Sequence, residues 1–475
     1  MERLVFEGKL PTYSAAEIPF SRIGIGFEKL DRDVFDPEKA YDKVARIGVK
    51  KTRIQSGWAR TEKAEGVYDF AWLDKIVDNL IARSLEPWIC LCYGNPIYTD
   101  LAKPVFGAVG CPPIATEKEM NAWLAYVKAT VAHFKGRVSI FEIWNEPDCN
   151  YSWRHCENEE IDHLRNADEY GVFALQTALA IKEANHEALA MGFALGHVGD
   201  LEYVNRALAT GLYQHLDLIS FHSYTPDEQK RRHNAHQLKL LIDSYNPKIG
   251  LVQGETGAQS RSDGNGAMKG FAWTPEKQTK ALLRGLVGDL AEGVVFTSYF
   301  STMDMVEALR GRLADKASYL DYGYFGVIGA EFDENGRSSG EYKEKPSYYA
   351  LSALASLFKG DFTTCRIPYR REELPSRRVN GTDCTDKTVQ IEGFALENGT
   401  KVLVYWNAVD LLTTTYEGTI SLQVFGQKND SIRLLDLKDG SLYRLPEGMI
   451  EDMEHGAVRL KNLPLTDAPL VLLFQ

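Results

Sequence analysis

Three glutamates stand where carboxyl chemistry could be done. Glu142 and Glu146 share the stretch "FEIWNEPDCN" (141–150), and Glu255 lies in "VQGETG" (252–257). Two carboxyl groups converging on one cleft are what cleavage of a glycosidic bond requires, one acting as acid and the other as nucleophile or as base toward water. A separation of roughly 5 to 5.5 Å gives retention and roughly 6.5 to 9.5 Å gives inversion, and a sequence does not supply that distance. Glu142 shares the strand parity of Glu146 but lies deeper in the strand, which suits an ion-pair partner of an arginine better than a reacting group. Asn95 in "YGNP" could bond a sugar hydroxyl, and Trp58, Tyr93, Trp153, Trp273 and Tyr299 carry ring faces on which a sugar could stack. His233 and His236 have no carboxylate at ligand spacing, so no metal is expected there, and the chemistry asks for no cofactor.

For these residues to meet, the chain must carry them to one end of a sheet. Apolar strand-like runs alternate with amphipathic helical stretches over the first 360 or so residues. Eight strands are predicted at 22–27, 50–55, 86–93, 137–145, 188–196, 216–224, 248–255 and 293–300. Helices are predicted near 37–47, 70–84, 116–134, 168–187, 199–209, 229–243, 275–290 and 345–358, the first with Asp36 as N-cap, Pro37 at its first position and Gly48 as its stop. Eight βα units in this order fit an α/β protein of the (β/α)8 barrel type, and no glycine-rich phosphate fingerprint follows the first strand to favour an open sheet. Barrel sites lie at the carboxyl ends of strands, and Glu146 and Glu255 end the fourth and seventh, facing one another across the barrel. The glycine-rich stretch 257–273 after the seventh strand is expected to be a mobile subsite wall or lid. Beyond residue 360 the texture becomes short alternating runs with hairpin signals at "ENGT" and "KDGS". We therefore expect a barrel over 1–360 and a β-sandwich over 361–475, the latter serving packing, homo-oligomer assembly or the rim of the cleft.

Composition narrows the partners. A net charge of -12, with "KRRH" (230–233) as the densest basic run and read as a solvated helix face, argues against nucleic acid. No segment is apolar and long enough to span a bilayer, and the amino terminus lacks the basic start and apolar run of a secretory signal, so no membrane partner and a cytoplasmic location are expected. Seven cysteines, an odd number at irregular spacing, suit reduced thiols, with Cys90 and Cys92 read as core packing.

"WNEP" on a fourth strand with a glutamate ending the seventh resembles clan A of the glycoside hydrolases, retaining enzymes on a (β/α)8 barrel. Within the clan, "SGWARTEKAEGVYDFAWLD" (56–74) and "KPSYYALSALASL" (345–357) look most like family 39, which joins the barrel to a β-sandwich. The resemblance implies Glu146 as acid/base, Glu255 as nucleophile and Asn145 as ligand of the sugar 2-hydroxyl. It also implies Arg53 and Tyr224 as the groups holding the nucleophile ionised, and His222 as a substrate contact. Two departures stand out: "GETG" replaces a "TEF"-like setting of the nucleophile, and Asp148 follows "NEP" where asparagine is common. The expected activity is exo-cleavage of xylose, glucose, galactose or arabinose from an oligosaccharide or glycoside. An endo-acting glycanase of the clan and an inactive carbohydrate-binding barrel are the alternatives.

Overall fold

A computed structural model describes residues 4–156, 162–309, 311–372, 377–379, 382–384, 388–427 and 432–474. The side chain of Cys384 lies outside that description. The eight expected strands are present: β1 (Ile23–Gly26), β2 (Lys51–Gln55), β3 (Glu86–Leu91), β4 (Ile140–Ile143), β5 (Leu189–Leu195), β6 (Leu218–His222), β7 (Gly250–Thr256) and β8 (Thr297–Tyr299). They pair in parallel and in chain order, β8 returning to β1, to close a barrel. Almost every strand residue is buried, as strands covered on both faces must be.

The outer helices are α1 (Tyr41–Ile47), α2 (Ala71–Ala82), α3 (Glu117–His133), α4 (His163–Ala184), α5 (Leu201–Ala209), α6 (Glu228–Tyr245), α7 (Pro275–Ala291) and α8 (Pro346–Leu357). The first differs from expectation at its start. Asp36 does cap, accepting from Glu38 N at 3.1 Å, but it caps a 3-10 turn (Pro37–Lys39) that precedes α1. Gly48 ends α1 with φ 88°, and a Cβ there would also strike the Tyr13 carbonyl, so both backbone and space demand glycine.

The barrel interior is layered because strand side chains alternate with period two. At the amino end Trp88, Ile140, Met191, Leu218, Val252 and Phe296 pack as an apolar plug. Two residues further along β4 and β6 come Glu142 and Ser220, which meet Arg53 of β2 in a polar layer. Cys90 and Cys92 are fully buried, consistent with their reading as packing residues.

Two larger antiparallel sheets and a two-stranded ribbon (Arg377–Val379 with Thr382–Cys384) follow the barrel. The larger has the order Val5–Lys9, Ser441–Arg444, Arg433–Asp436, Leu470–Phe474, Lys401–Asn407, Val389–Leu396 and Phe362–Thr364. Its first strand comes from the amino terminus, so residues 5–9 join this sheet rather than the barrel. The smaller sheet runs Tyr369–Arg371, Glu417–Phe425, Ala457–Thr466 and Ile450–Met453. Leu403, Tyr405, Ile420, Leu422, Leu460, Leu470 and Leu472 belong to the apolar core between them. Both hairpin turns read from the sequence join paired strands.

The sheets dock on α6 and α7. Buried Arg284 donates to the carbonyls of Asn407, Val409 and Asp467 at 3.0, 2.9 and 2.7 Å. The "KRRH" run corrects its sequence reading here. Arg231 is buried against Thr256 (2.6 Å) and Asp289 (3.2 Å), and Arg232 joins Glu292 to Glu392 of the larger sheet. Only Lys230 and His233 keep the expected solvated character. Among the described residues no helix is long and apolar enough to cross a membrane.

Candidate active site

Glu255 is carried near the carboxyl end of β7. The β6–β7 register slips between Gln253 and Glu255, and this irregularity places Glu255 opposite His222. Glu146 lies just past β4 with φ 50°, a left-handed value unusual for a residue with a Cβ. Its backbone N–H bonds the Ala194 carbonyl at 3.0 Å, and Trp144 N–H bonds that of Leu91 at 3.1 Å, which together hold the turn in that conformation.

Arg53 organises the floor. Its Nε donates to Glu142 Oε2 at 2.7 Å, its Nη1 to Glu28 Oε2 at 3.0 Å and to Glu255 Oε1, and its Nη2 to Asn145 Oδ1 at 2.9 Å. Glu142 is thus the ion-pair partner that its depth in the strand implied. Because Asn145 uses its carbonyl oxygen on Arg53, its amide N–H groups are left for the cleft. Tyr224 donates to Glu255 Oε2 at 2.6 Å. His222 Nδ1 sits 2.8 Å from Glu146 Oε1 and 3.5 Å from Glu255 Oε2.

These neighbours push the two carboxyls apart. Burial works to raise Glu255, but the charges of His222 and Arg53 and the Tyr224 hydrogen bond prevail and hold it at about 2. Burial also raises Glu146. There the His222 bond only partly offsets it, and the charge of Glu255 adds to the rise, so the carboxyl stays above its ordinary range. Burial would lower His222, yet the two carboxylates raise it. One acid that holds its proton beside one carboxylate that does not is the division of labour that acid–nucleophile pairs need.

A cleft of about 430 Å³ opens above this floor. Asn145, Glu146, Tyr93, Tyr224 and Glu255 line it, and Arg53 and His222 lie fully buried beneath. Other sequence candidates are drawn elsewhere by packing. Trp58 is buried among Tyr98, Trp123 and Tyr126, and Trp153 among Trp144, Tyr170 and Phe173. Trp273 packs on Ala258, Met268 and Leu411, Tyr299 bonds the Ala258 carbonyl at 3.3 Å, and Asn95 bonds the Glu62 carbonyl at 2.9 Å. Of the five aromatics proposed for stacking, only Tyr93 lines the cleft.

The stretch 257–273 contributes Gly266 and Ala267 to the wall, tied down by Gln259 Nε2 bonds to the carbonyls of Asn265 and Ala267. Residues that sequence reading passed over complete the lining. Glu28 is buried, with burial, partly countered by Arg53, pushing its carboxyl well up; its Oε1 has no hydrogen-bond partner among the described residues. Lys29 and Glu307 form a buried ion pair at 3.3 Å. Cys149 and His197 also line the cleft. The strand-end rule that selected Glu146 also reaches Glu28, two residues past β1. Among the described residues two groups have metal-ligand chemistry, Glu146–His222–Glu255 and Asp148–Cys149–His197, while His233 and His236 belong to neither.

Comparison with known proteins agrees with this architecture. Residues 27–97 match the glycosyl hydrolase family 42 model, described as beta-galactosidase. A beta-xylosidase of Geobacillus stearothermophilus is 28% identical over 167 residues, 33% of this chain and 31% of that protein. The matched segment thus spans about a third of that relative's length. A family 39 glycoside hydrolase of Bacteroides cellulosilyticus superposes with TM-score 0.65 at 17% identity, over 98% of this chain and 83% of that one. A monomeric beta-xylosidase of Caulobacter crescentus does so with TM-score 0.59 at 17% identity, over 99% and 97%. In fold the chain resembles the clan A glycoside hydrolases, the family 39 structures among them, and its matched segments resemble glycoside hydrolases described as beta-galactosidase and beta-xylosidase.

Proposed function

We propose that the chain is a retaining exo-glycosidase that releases terminal sugars of the xylose or arabinose type from oligosaccharides or glycosides. The observation that carries this reading is the approach of the two carboxyls: one oxygen of Glu146, one of Glu255 and a nitrogen of His222 lie within 4.8 Å of one another. That spacing suits direct attack and leaves too little room for the interposed water of an inverting site.

Glu255, ionised and aimed by Arg53 and Tyr224, attacks the anomeric carbon while Glu146 gives its proton to the departing oxygen. Glu146, now a carboxylate, takes a proton from water, which attacks the same carbon and frees Glu255. Asn145 offers its amide to the 2-hydroxyl, where hydrogen bonds strengthen in the transition state. His222 positions both carboxyls from below. Each step uses groups of this chain and water, with no metal or cofactor among them.

The beta-xylosidase relatives support a pentose as the sugar. A cleft of about 430 Å³ is at the small end for ligand sites and favours a terminal ring over a long chain. The division into a barrel ending near residue 360 and a sandwich beyond it completes the reading, with residues 5–9 added to the second unit. A panel of aryl xylosides, arabinosides, glucosides and galactosides tests the sugar, the galactosides included because the matched family model is a beta-galactosidase. Proton NMR of the first-formed anomer tests retention, and an oligosaccharide ladder tests exo-action. Mixed internal fragments would contradict the exo reading in favour of an endo-glycanase.

A further inference from the structure

The residues directly after the "NEP" run carry a second constellation. Asp148, Cys149 and His197 each offer one ligand atom, and the three atoms lie within 4.8 Å of one another. Cys149 Sγ is 3.7 Å from His197 Nδ1, and Asp148 Oδ2 is 3.1 Å from that same nitrogen. A tetrahedral zinc ion, with bonds of about 2.3 Å to sulfur and about 2.0–2.1 Å to nitrogen and oxygen, would separate sulfur from nitrogen by about 3.5 Å and nitrogen from oxygen by about 3.3 Å. Both separations here are within about 0.2 Å of those values.

The site is also built. The Asp148 side chain is fully buried and fixed by the N–H groups of Gly196 (2.8 Å, to Oδ1) and His197 (2.7 Å, to Oδ2). A Cβ at Gly196 would collide with Cys149 Sγ, so glycine there is what lets the thiol approach. The His197 side chain is 65% exposed, which gives an ion a path in from solvent. Thiol, imidazole and carboxylate together suit a borderline-soft dication and not calcium or magnesium, which take oxygen ligands.

We propose that Asp148, Cys149 and His197 form a three-ligand site for a thiophilic dication such as Zn²⁺, with an open fourth position, at the wall of the cleft, and that its occupancy inhibits the enzyme. Binding forms bonds from the metal to sulfur, nitrogen and oxygen. The thiol proton, and any proton on Nδ1, go to solvent, so affinity falls as pH falls. Cys149 and His197 line the same cleft as Glu146. Gly196, whose Cβ position abuts Cys149 Sγ, also abuts the Glu146 carboxyl, so an ion held there with its water fills cleft space beside Glu146 and excludes the departing group. Binding is independent of the proposed activity, and only the inhibition rests on it.

Cobalt(II) is the probe. Added to the full chain, it should produce a thiolate-to-cobalt charge-transfer band in the near ultraviolet that saturates at one equivalent and that Zn²⁺ displaces. Cys149→Ser should lose the band, His197→Ala should weaken binding by at least about tenfold, and Glu255→Gln should keep the band. A band unchanged in Cys149→Ser, or absent from the wild type, overturns the site. Cobalt that binds the wild type without a thiolate band, and whose binding is lost in Glu255→Gln, belongs to the other cluster and also overturns the site. In an active preparation, Zn²⁺ that displaces cobalt without lowering turnover overturns the inhibition. A preparation inactive before metal is added contradicts the activity reading instead, since the band needs no turnover.

Discussion

His222 Nδ1 lies 2.8 Å from Glu146 Oε1, and the same nitrogen stands 3.5 Å from Glu255 Oε2. One imidazole therefore acts on both carboxyls. It favours the ionised form of each, but only Glu255 has Arg53 and Tyr224 as well. The asymmetry of the pair comes from those two extra partners.

This balance fixes a pH profile. In the proposed mechanism, turnover needs Glu255 ionised and Glu146 protonated. Glu255 is held at about 2, so its protonation removes activity only in strong acid, while the raised Glu146 carries the alkaline limb of kcat/KM above the ordinary carboxylate range. His222→Phe removes a hydrogen bond and a charge that lower Glu146, and a charge that lowers Glu255. Both limbs should move to higher pH. Limbs that stay in place in this variant contradict the role given to His222.

Arg53 is the shared cation of three buried carboxyls, Glu28, Glu142 and Glu255. Removing one partner from such a cluster typically costs about 3–5 kcal/mol, because the remaining charges stay buried without compensation. Arg53→Met should therefore lower the urea midpoint strongly at neutral pH, and in surviving folded protein the acid limb of kcat/KM should rise. Unfolding equal to that of the wild type would show that the cluster is not held by this arginine.

Glu28 Oε1 is buried in the cleft lining and has no hydrogen-bond partner among the described residues. A sugar hydroxyl would satisfy it. Glu28→Ala should raise KM by roughly 2- to 10-fold, the loss of about 0.5–1.5 kcal/mol expected for a hydrogen bond to an uncharged group. Steady-state kinetics on the best aryl glycoside decides this, and an unchanged KM would leave Glu28 a structural partner of Arg53.

Arg284 ties α7 to the sandwich through three backbone carbonyls. Arg284→Ala leaves those acceptors unpaired, at about 1–3 kcal/mol for a buried group. Limited proteolysis should then release the sandwich earlier than in the wild type. Identical cleavage kinetics would mean that apolar packing alone holds the two units.

Much of this was legible in the sequence because two periodicities dominate it. Strands covered on both faces leave continuous apolar runs, and helices with clear caps punctuate them, so all eight βα units are legible in the sequence. Glu146, Glu255 and the scaffold role of Glu142 followed from strand ends and strand depth. Glu28 was missed because the first strand was read only to Phe27, one residue short of it. The aromatics were misplaced for a different reason. Position at a strand end does not say whether a ring turns into the cleft, as Tyr93 does, or between barrel and helices, as Trp58 and Trp153 do. Arg231 reads as one charge in a basic run, and only tertiary packing reveals that it faces Thr256 and Asp289.

Azide rescue tests the assignment of nucleophile and acid most directly. Glu255→Gly should lose essentially all turnover, and azide should restore it with a glycosyl azide of inverted configuration, because the small anion attacks from the vacated nucleophile side. Glu146→Ala should be rescued by azide with retention, since the covalent intermediate on Glu255 still forms and azide attacks it where deprotonated water otherwise would. Near-wild-type rates in both variants, or the two stereochemical outcomes exchanged, would contradict the account.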